Sequence, residues 1–191
     1  MEDFPKDSTE EKQIKHPLYT GAGDTGFTKD LFLNKIKKSS LLPELFVKMD
    51  RMQADIDRAI VLLENYENQT EKEFLESIQK RIWQTYAMIQ DPENRLKYTT
   101  SPITDQDLRE IEDYVKASEK FSSNAFIRFH NEKSQMLNDC RVSVRDAEIS
   151  LHRYLENPEN TTKGVPEVVP AFFNRLSSLF YAMALKMEFE N

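Results

Sequence analysis

The chain has 191 residues, 31% of them charged and 39% hydrophobic, with a formal net charge of −7. That length supports one domain with a full core, and the acidic balance excludes a basic stripe able to neutralise a run of duplex phosphates. Cys140 is the single cysteine and the histidines are His16, His130 and His152, so an intrachain disulfide and a cysteine-based metal cluster are excluded and a protein-ligated zinc site is not expected.

Residues 1–16 lack periodicity and read as a flexible tail, which leaves 17–191 as one domain. The opening MEDFPKDSTEEKQ is unlike a secretory signal or an Arg-rich transit peptide, and no apolar run is read as approaching a membrane span; a cytoplasmic location is expected. LYTGAGDTGFT, from Leu18 to Thr28, places Gly21, Gly23 and Gly26 within six residues. Glycine admits positive φ and lets backbone N–H groups come close to a ligand, so the segment is either an anion-binding nest or a plain turn. It lacks the lysine and hydroxyl pair of a Walker loop and the strand–helix setting of a dinucleotide fingerprint.

From Leu42 the pattern is helical. Leu42, Leu45, Met49, Met52, Ile56, Ala59, Leu63 and Tyr66 alternate spacings of three and four, the seam of a helix packed in a bundle. Pro43 and Glu44 suit a first turn, where a missing N–H and a negative charge are tolerated. Thr70 and Glu73 match a capping box for a second helix, with Phe74 or Leu75, Ile78, Ile82, Tyr86 and Ile89 inward and a stop at Asp91-Pro92. Pro102 and Thr104 open a third, with Leu108, Ile111, Tyr114 and Val115 inward, and FSSNAFIRFHNEKS interrupts the helical period.

The fourth helix, over Gln135 to Tyr154, carries two interlocked stripes. Cys140, Val144, Ala147, Leu151 and Leu155 share one face, and Arg141, Arg145, Glu148 and His152 line the next. The polar row is either a solvated flank or the wall of an anion site, since a guanidinium is a planar fork suited to phosphate oxygens. After a loop at Asn157 to Gly164, a last helix over about 166–189 buries Phe172, Leu176, Leu179, Phe180, Met183 and Met187. No segment sustains a period of two, so the expected class is an all-α bundle.

Four stretches, in order, resemble one family. YTGAGDTGFT is similar to the Tyr-Thr-Lys-x-Gly-Asp-x-Gly-x-Thr loop of PduO-type ATP:cob(I)alamin adenosyltransferases, and RVSVRDAE (141–148) to their Arg-x-x-Cys-Arg-Arg-Ala-Glu helix. FFNRLSSLFYAMA, from Phe172, resembles their Tyr-Leu-Asn-Arg-Leu-Ser-Asp-Leu-Leu-Phe segment, and PELFVKMDRM, from Pro43, more faintly their Glu-Ala-x-Gly-x-x-Asp-Glu-Leu. The resemblance spans about Tyr19 to Met187. It implies a ferritin-like, five-helix up-and-down bundle that assembles as a homotrimer, with ATP between subunits, cobalamin beside it, and Mg²⁺ on the ATP phosphates.

It also implies roles. Arg141 and Arg145 face phosphates, and Glu148 orients an arginine or the nucleotide. Asn174 and Arg175 bind ATP from the last helix, while Thr20, Gly23, Asp24, Gly26 and Thr28 close the loop over the phosphates. Asp50 and Phe126 stand on the cobalamin side. The departures concern charge and turn chemistry. Gly21 and Thr25 stand where the family has lysines, and Arg128 to Asn131 replace the segment bearing its Pro-Gly-Gly turn. An arginine is missing at Ile149, and Ser178 replaces the acid expected to partner Arg175. Arg128, Lys29 and Lys133 are candidates to restore the lost charge. A non-catalytic corrinoid- or nucleotide-binding relative is the alternative to an active transferase.

Overall fold

A computed structural model describes residues 21, 23–65, 68–158 and 164–190. Five helices carry the fold: α1 (Leu41–Asn65), α2 (Gln69–Gln90), α3 (Asp105–Ala117), α4 (Glu132–Glu156) and α5 (Val168–Phe189). α4 lies between α1 and α5, α2 packs on the far side of α1, and α3 covers α5. The seams meet in one core: Leu45, Met49, Met52 and Ile56 of α1, Leu75, Ile78 and Ile82 of α2, Cys140, Val144, Ala147 and Leu151 of α4, and Phe172, Leu176 and Phe180 of α5 are all buried. Each fully buried large side chain contributes about 1.5–3 kcal/mol relative to exposure, so the α4–α5 pairing holds the middle of the bundle.

Tyr66, the last residue of the expected α1 seam, lies outside the described residues, as do the expected N-terminal tail and Thr20. Phe74, Tyr86, Leu108, Tyr114 and Val115 are only partly buried against the core, at the rim of their helices. The capping box expected at Thr70 and Glu73 is not the one formed. α2 begins two residues earlier, with Asn68 at the cap position, and Gln69 Nε2 donates to Glu73 Oε1 at 2.7 Å. A capping box does close the start of α3, where Thr104 N donates to Asp107 Oδ2 at 2.7 Å.

The all-α expectation needs one addition. β1 (Phe27–Lys29) and β2 (Lys35–Lys37) form an antiparallel hairpin with Thr28 opposite Ile36. Its turn is held by Asp30 Oδ1, which accepts from Phe32 N at 2.9 Å and Asn34 N at 2.8 Å. Leu31 N donates to Gln90 Oε1 at 2.8 Å, tying the hairpin tip to the end of α2. Three-residue strands are too short to display a period in sequence.

The expected absence of a membrane-length apolar run also needs correcting. α5 is 22 residues long and contains an 18-residue stretch with a mean hydropathy of 1.3, enough by length and composition to cross a bilayer. Here its apolarity has another cause: it is buried by both α3 and α4, and its Arg175, Lys186 and Glu188 bond to Glu112, Glu71 and the start of α4. A helix covered on most of its circumference is apolar almost all round.

Candidate functional site

The polar row of α4 divides into three environments. Arg141 is half-buried; its Nε donates to Asn138 Oδ1 at 2.9 Å, and its guanidinium lies 5.6 Å from the Tyr181 ring centroid. It lines a cavity of about 870 Å³ with Phe126, Arg128, Phe129, Gln135 and Tyr181. Phe126, on the segment between α3 and α4, is 92% exposed, an unusual cost for a phenylalanine without a ligand or partner. Among the described residues neither Arg128 nor Arg141 has a carboxylate partner. Asp139 also lines this cavity, so two guanidiniums stand against one carboxylate beside an open aromatic, a balance that still suits an anionic ligand with a broad apolar face.

Arg145, one turn on, is exposed and likewise has no ion-pair partner among the described residues. Glu148 is half-buried and accepts from Asn174 Nδ2 at 3.0 Å. Asn174 Oδ1 in turn accepts from Arg175 Nη1 at 3.1 Å, and Arg175 Nε donates to Glu112 Oε1 at 2.7 Å. The network Glu148–Asn174–Arg175–Glu112 thus joins α4, α5 and α3 beside the row. Arg175 does not lack a partner as Ser178 suggested: Glu112, on a different helix, supplies it. His152 is exposed, and Cys140 is buried with its thiol pushed well above the usual range, first by burial and then by the charges of Asp55 and Asp139. The buried thiol is held protonated and offers no nucleophile at neutral pH.

The glycine-containing segment leads into the hairpin. Asp24 N donates to Gly21 O at 3.1 Å and Gly26 N to Gly23 O at 3.3 Å, with Gly21 at φ 67° and Gly26 at φ 77°. Both glycines occupy the left-handed region that L-residues avoid, so the chain here is a built loop. Thr28 lines a cavity of about 520 Å³ with Lys38, Ser39, Glu44, Val47 and Lys48. Lys48 is neutralised by Asp146 of α4 at 2.6 Å. Lys38 has no such partner among the described residues, and its ammonium folds over Gly23, where a Cβ would stand 2.7 Å from Nζ. Gly23 is therefore needed for a close approach rather than for its φ.

Thr28 also lines a smaller cavity of about 190 Å³ with Asp50, Phe46 and Gln90. Asp50 accepts from Tyr86 Oη at 2.8 Å, and the Tyr86 phenol is pushed far up, first by burial and then by this bond and the Asp50 charge. Tyr86 stacks between Phe46 and Trp83, at 5.1 and 5.3 Å between ring centroids.

The predicted residues therefore fall into two groups within one protomer. Arg141 meets Phe126, and Glu148 meets Asn174 and Arg175; Thr28 meets Asp50. The residues lining the loop cavities do not include Arg141, Arg145 or Glu148, and those lining the Arg141 cavity include none of Gly23, Asp24, Gly26 or Thr28. Of the candidate replacement cations, Arg128 joins the Arg141 cavity, Lys29 is exposed on β1, and Lys133 is held by Asn68 Oδ1 at 3.1 Å. Lys38, Tyr181 and Glu112 are additions that the sequence did not single out.

The family model for cobalamin adenosyltransferase matches residues 18–187, which takes in both groups and all five helices. The chain belongs to the cobalamin adenosyltransferase family. Among curated proteins no relative matches by sequence. Two solved structures of PduO-type ATP:corrinoid adenosyltransferase variants from Lactobacillus reuteri, each complexed with cobalamin and ATP, share the fold of this family member. The phenylalanine-to-histidine variant aligns with TM-score 0.78 at 19% identity, covering 91% of both chains. The phenylalanine-to-alanine variant aligns with TM-score 0.79 at 19% identity, covering 91% of this chain and 94% of that one. An arginine-to-lysine variant complexed with ATP gives TM-score 0.75 at 19% identity, covering 90% and 94%. At this identity the likeness fixes the adenosyltransferase fold and leaves individual site residues to be argued from their chemistry.

Proposed function

We propose that this chain transfers the 5′-deoxyadenosyl group of ATP to cob(I)alamin, giving adenosylcobalamin and triphosphate. A cobalt–carbon bond forms at C5′ as the C5′–O5′ bond breaks, and the cobalt electron pair becomes the new bond while the triphosphate leaves with the C–O pair. The metal of the substrate is the nucleophile, so the protein's part is positioning and charge stabilisation. Arg141 and Arg145 bind the triphosphate and stabilise the charge it gains on leaving. Glu148 and Asn174, already bonded to each other, hold the nucleotide in line, with Arg175 fixed behind them by Glu112. The loop of Thr20, Gly23, Asp24, Gly26 and Thr28 closes over the phosphates, and Lys38 supplies cationic charge beside Gly23 in place of the lysines missing at Gly21 and Thr25. Phe126 and Asp50 serve the corrinoid.

Mg²⁺ enters as the counter-ion of the ATP phosphates. Among the described residues no group of three His, Cys, Asp or Glu side chains could hold an ion alone. The loop and the arginine row occupy different cavities of one protomer, which supports a homotrimer whose sites lie between subunits, the loop of one facing α4 of the next. A cytoplasmic setting, where ATP is abundant, suits the reaction.

The observation that carries this reading is the guanidinium pair of Arg128 and Arg141, without carboxylate partners, around the exposed Phe126, in a chain matched to the family over 18–187. Purified protein with MgATP and chemically reduced cobalamin should generate the adenosylcobalamin spectrum. Arg145→Ala should lower kcat/KM roughly ten- to hundredfold, since a charge-assisted hydrogen bond to phosphate is worth about 1.5–3 kcal/mol. A flat spectrum from folded wild-type protein rejects catalysis, and cobalamin binding without turnover would identify the non-catalytic relative.

A further inference from the structure

The segment that carries Phe126 and Arg128 into the cavity is fixed at only one end by helix structure. Residues 122–131, between the 3₁₀ turn Glu119–Phe121 and α4, form no regular element. Gln135 Nε2 donates to Phe129 O at 3.1 Å, and most of the remaining bonds to their last residues converge on one carboxylate of α5. Glu188 accepts from His130 N at 3.0 Å, Asn131 N at 3.4 Å, His130 Nδ1 at 3.1 Å, Asn131 Nδ2 at 3.1 Å and Ser134 Oγ at 2.5 Å. Its side chain is only 10% exposed. Asn131 Nδ2 also donates to Met187 O at 2.8 Å, and Asn131 Oδ1 caps α4 by accepting from Ser134 N at 2.8 Å. Two backbone donors, a hydroxyl, an amide and an imidazole converge on one acid. A carboxylate is an acceptor with about four lone-pair sites, so five donors occupy it fully.

The consequence reaches the cavity through stacked rings. Phe129, immediately before the pinned residues, meets Tyr181 edge-on at 6.2 Å, and Tyr181 underlies Arg141. With His130 and Asn131 clamped and Phe129 seated, the three residues before them are held at the cavity mouth opposite Arg141. Arg128 to Asn131 include no proline, so no ring in the backbone restricts this stretch. Here the stiffness comes from a remote side chain.

We propose that Glu188 is a positioning residue for the corrinoid half of the site: it fixes the segment 126–131 so that Phe126 and Arg128 are presented to the ligand, without itself touching substrate. The proposal rests on the adenosyltransferase reading above, and the test separates the two. Glu188→Gln keeps the shape and removes the charge that holds the clamp. In folded Glu188→Gln, the KM for cobalamin should rise roughly tenfold and the KM for ATP by clearly less, because Arg145, Glu148 and Asn174 lie about three turns or more along α4 and α5 from the clamp, whereas Phe126 and Arg128 lie directly before it. A purely structural role would lower the melting temperature and leave both constants unchanged below the transition.

An activity-independent readout uses Phe126→Trp in a Trp83→Phe background, where the one indole reports the segment. Its fluorescence anisotropy should fall on adding Glu188→Gln. Should wild-type protein show no turnover, the catalytic reading fails, and the anisotropy together with cobalamin binding still decides the clamp. If Glu188→Gln does not fold, Ser134→Ala, which removes one of the five donors, should give a smaller change of the same sign in anisotropy and cobalamin affinity. Unchanged anisotropy, or equal rises in both KM values, in a folded variant overturns the proposal.

Discussion

Lys38 and the glycines beneath it show how one position can be read two ways until its neighbours are known. Gly26 sits at φ 77° with nothing within 4 Å of a would-be Cβ, so its requirement is conformational. Gly26→Ala should cost about 1 kcal/mol through the left-handed backbone alone. Gly23 has no positive φ, and a methyl there meets only the flexible end of Lys38. Gly23→Ala should therefore cost little stability but displace the ammonium. Thermal melts should show the larger loss for Gly26→Ala, and ATP titrations the larger loss of affinity for Gly23→Ala; the reverse order would remove Lys38 from the phosphate site. Lys38→Ala itself should raise the KM for ATP roughly tenfold, the effect of deleting one charge-assisted hydrogen bond, with a smaller change in the KM for cobalamin. Steady-state kinetics with each substrate varied in turn would show it. An effect confined to cobalamin would place the 520 Å³ cavity on the other side of the reaction.

At the scale of elements, the helices were readable because burial imposes a period. The three–four spacing from Leu42 to Leu63 became the buried seam of α1, and the apolar stripe of α4 became a core face, while of the polar stripe only Arg141 lines a cavity. What could not be read depends on distance along the chain. Arg175 finds Glu112 across 63 residues, and Glu188 reaches His130 across 58, separations that no local pattern encodes. The hairpin was hidden by the brevity of its strands, and Thr70 does not serve as a cap because α2 starts two residues sooner. The α4–α5 clamp also has a pH signature. Burial raises the Glu188 carboxyl, but the bonds from Ser134, His130 and Asn131 outweigh it and hold the group down at about 2, against an ordinary 4.5. A depressed carboxylate stabilises the folded state above its unfolded value and loses that contribution as pH falls through its folded one. The clamp should thus be intact above pH 4.5 and weaken progressively towards pH 2. Melting temperature followed over that window should fall more steeply for wild type than for Glu188→Gln, which has no proton to take up there; parallel curves would show that the bonds do not stabilise the charge.

For the whole molecule, the −7 net charge poses a problem that assembly can solve. An acidic protein that binds a polyphosphate must gather its cations locally, and one protomer keeps them apart: Arg128 and Arg141 in one cavity, Lys38 and Lys48 in another. Lys48 is neutralised by Asp146, and Arg153 by Glu44 at 2.7 Å, so these cations are already balanced within the protomer. In the proposed cyclic trimer a different copy's loop would meet each arginine row without reshaping either, because heterologous contacts repeat one pair of surfaces around the ring. Light scattering should accordingly give three times the mass of the 22.4 kDa chain. Two defective variants test the arrangement more sharply. Asp24→Ala spoils the loop and Arg145→Ala the helix, so each homotrimer should be nearly inactive. If every site takes its loop from one protomer and its arginines from the next, refolding an equal mixture restores about a quarter of the sites by random pairing, and with them about a quarter of wild-type turnover. A site built within one protomer cannot be rescued in this way, since each chain still carries its own defect; activity of the mixture no greater than the mean of the two variants would return loop and arginine row to the same subunit.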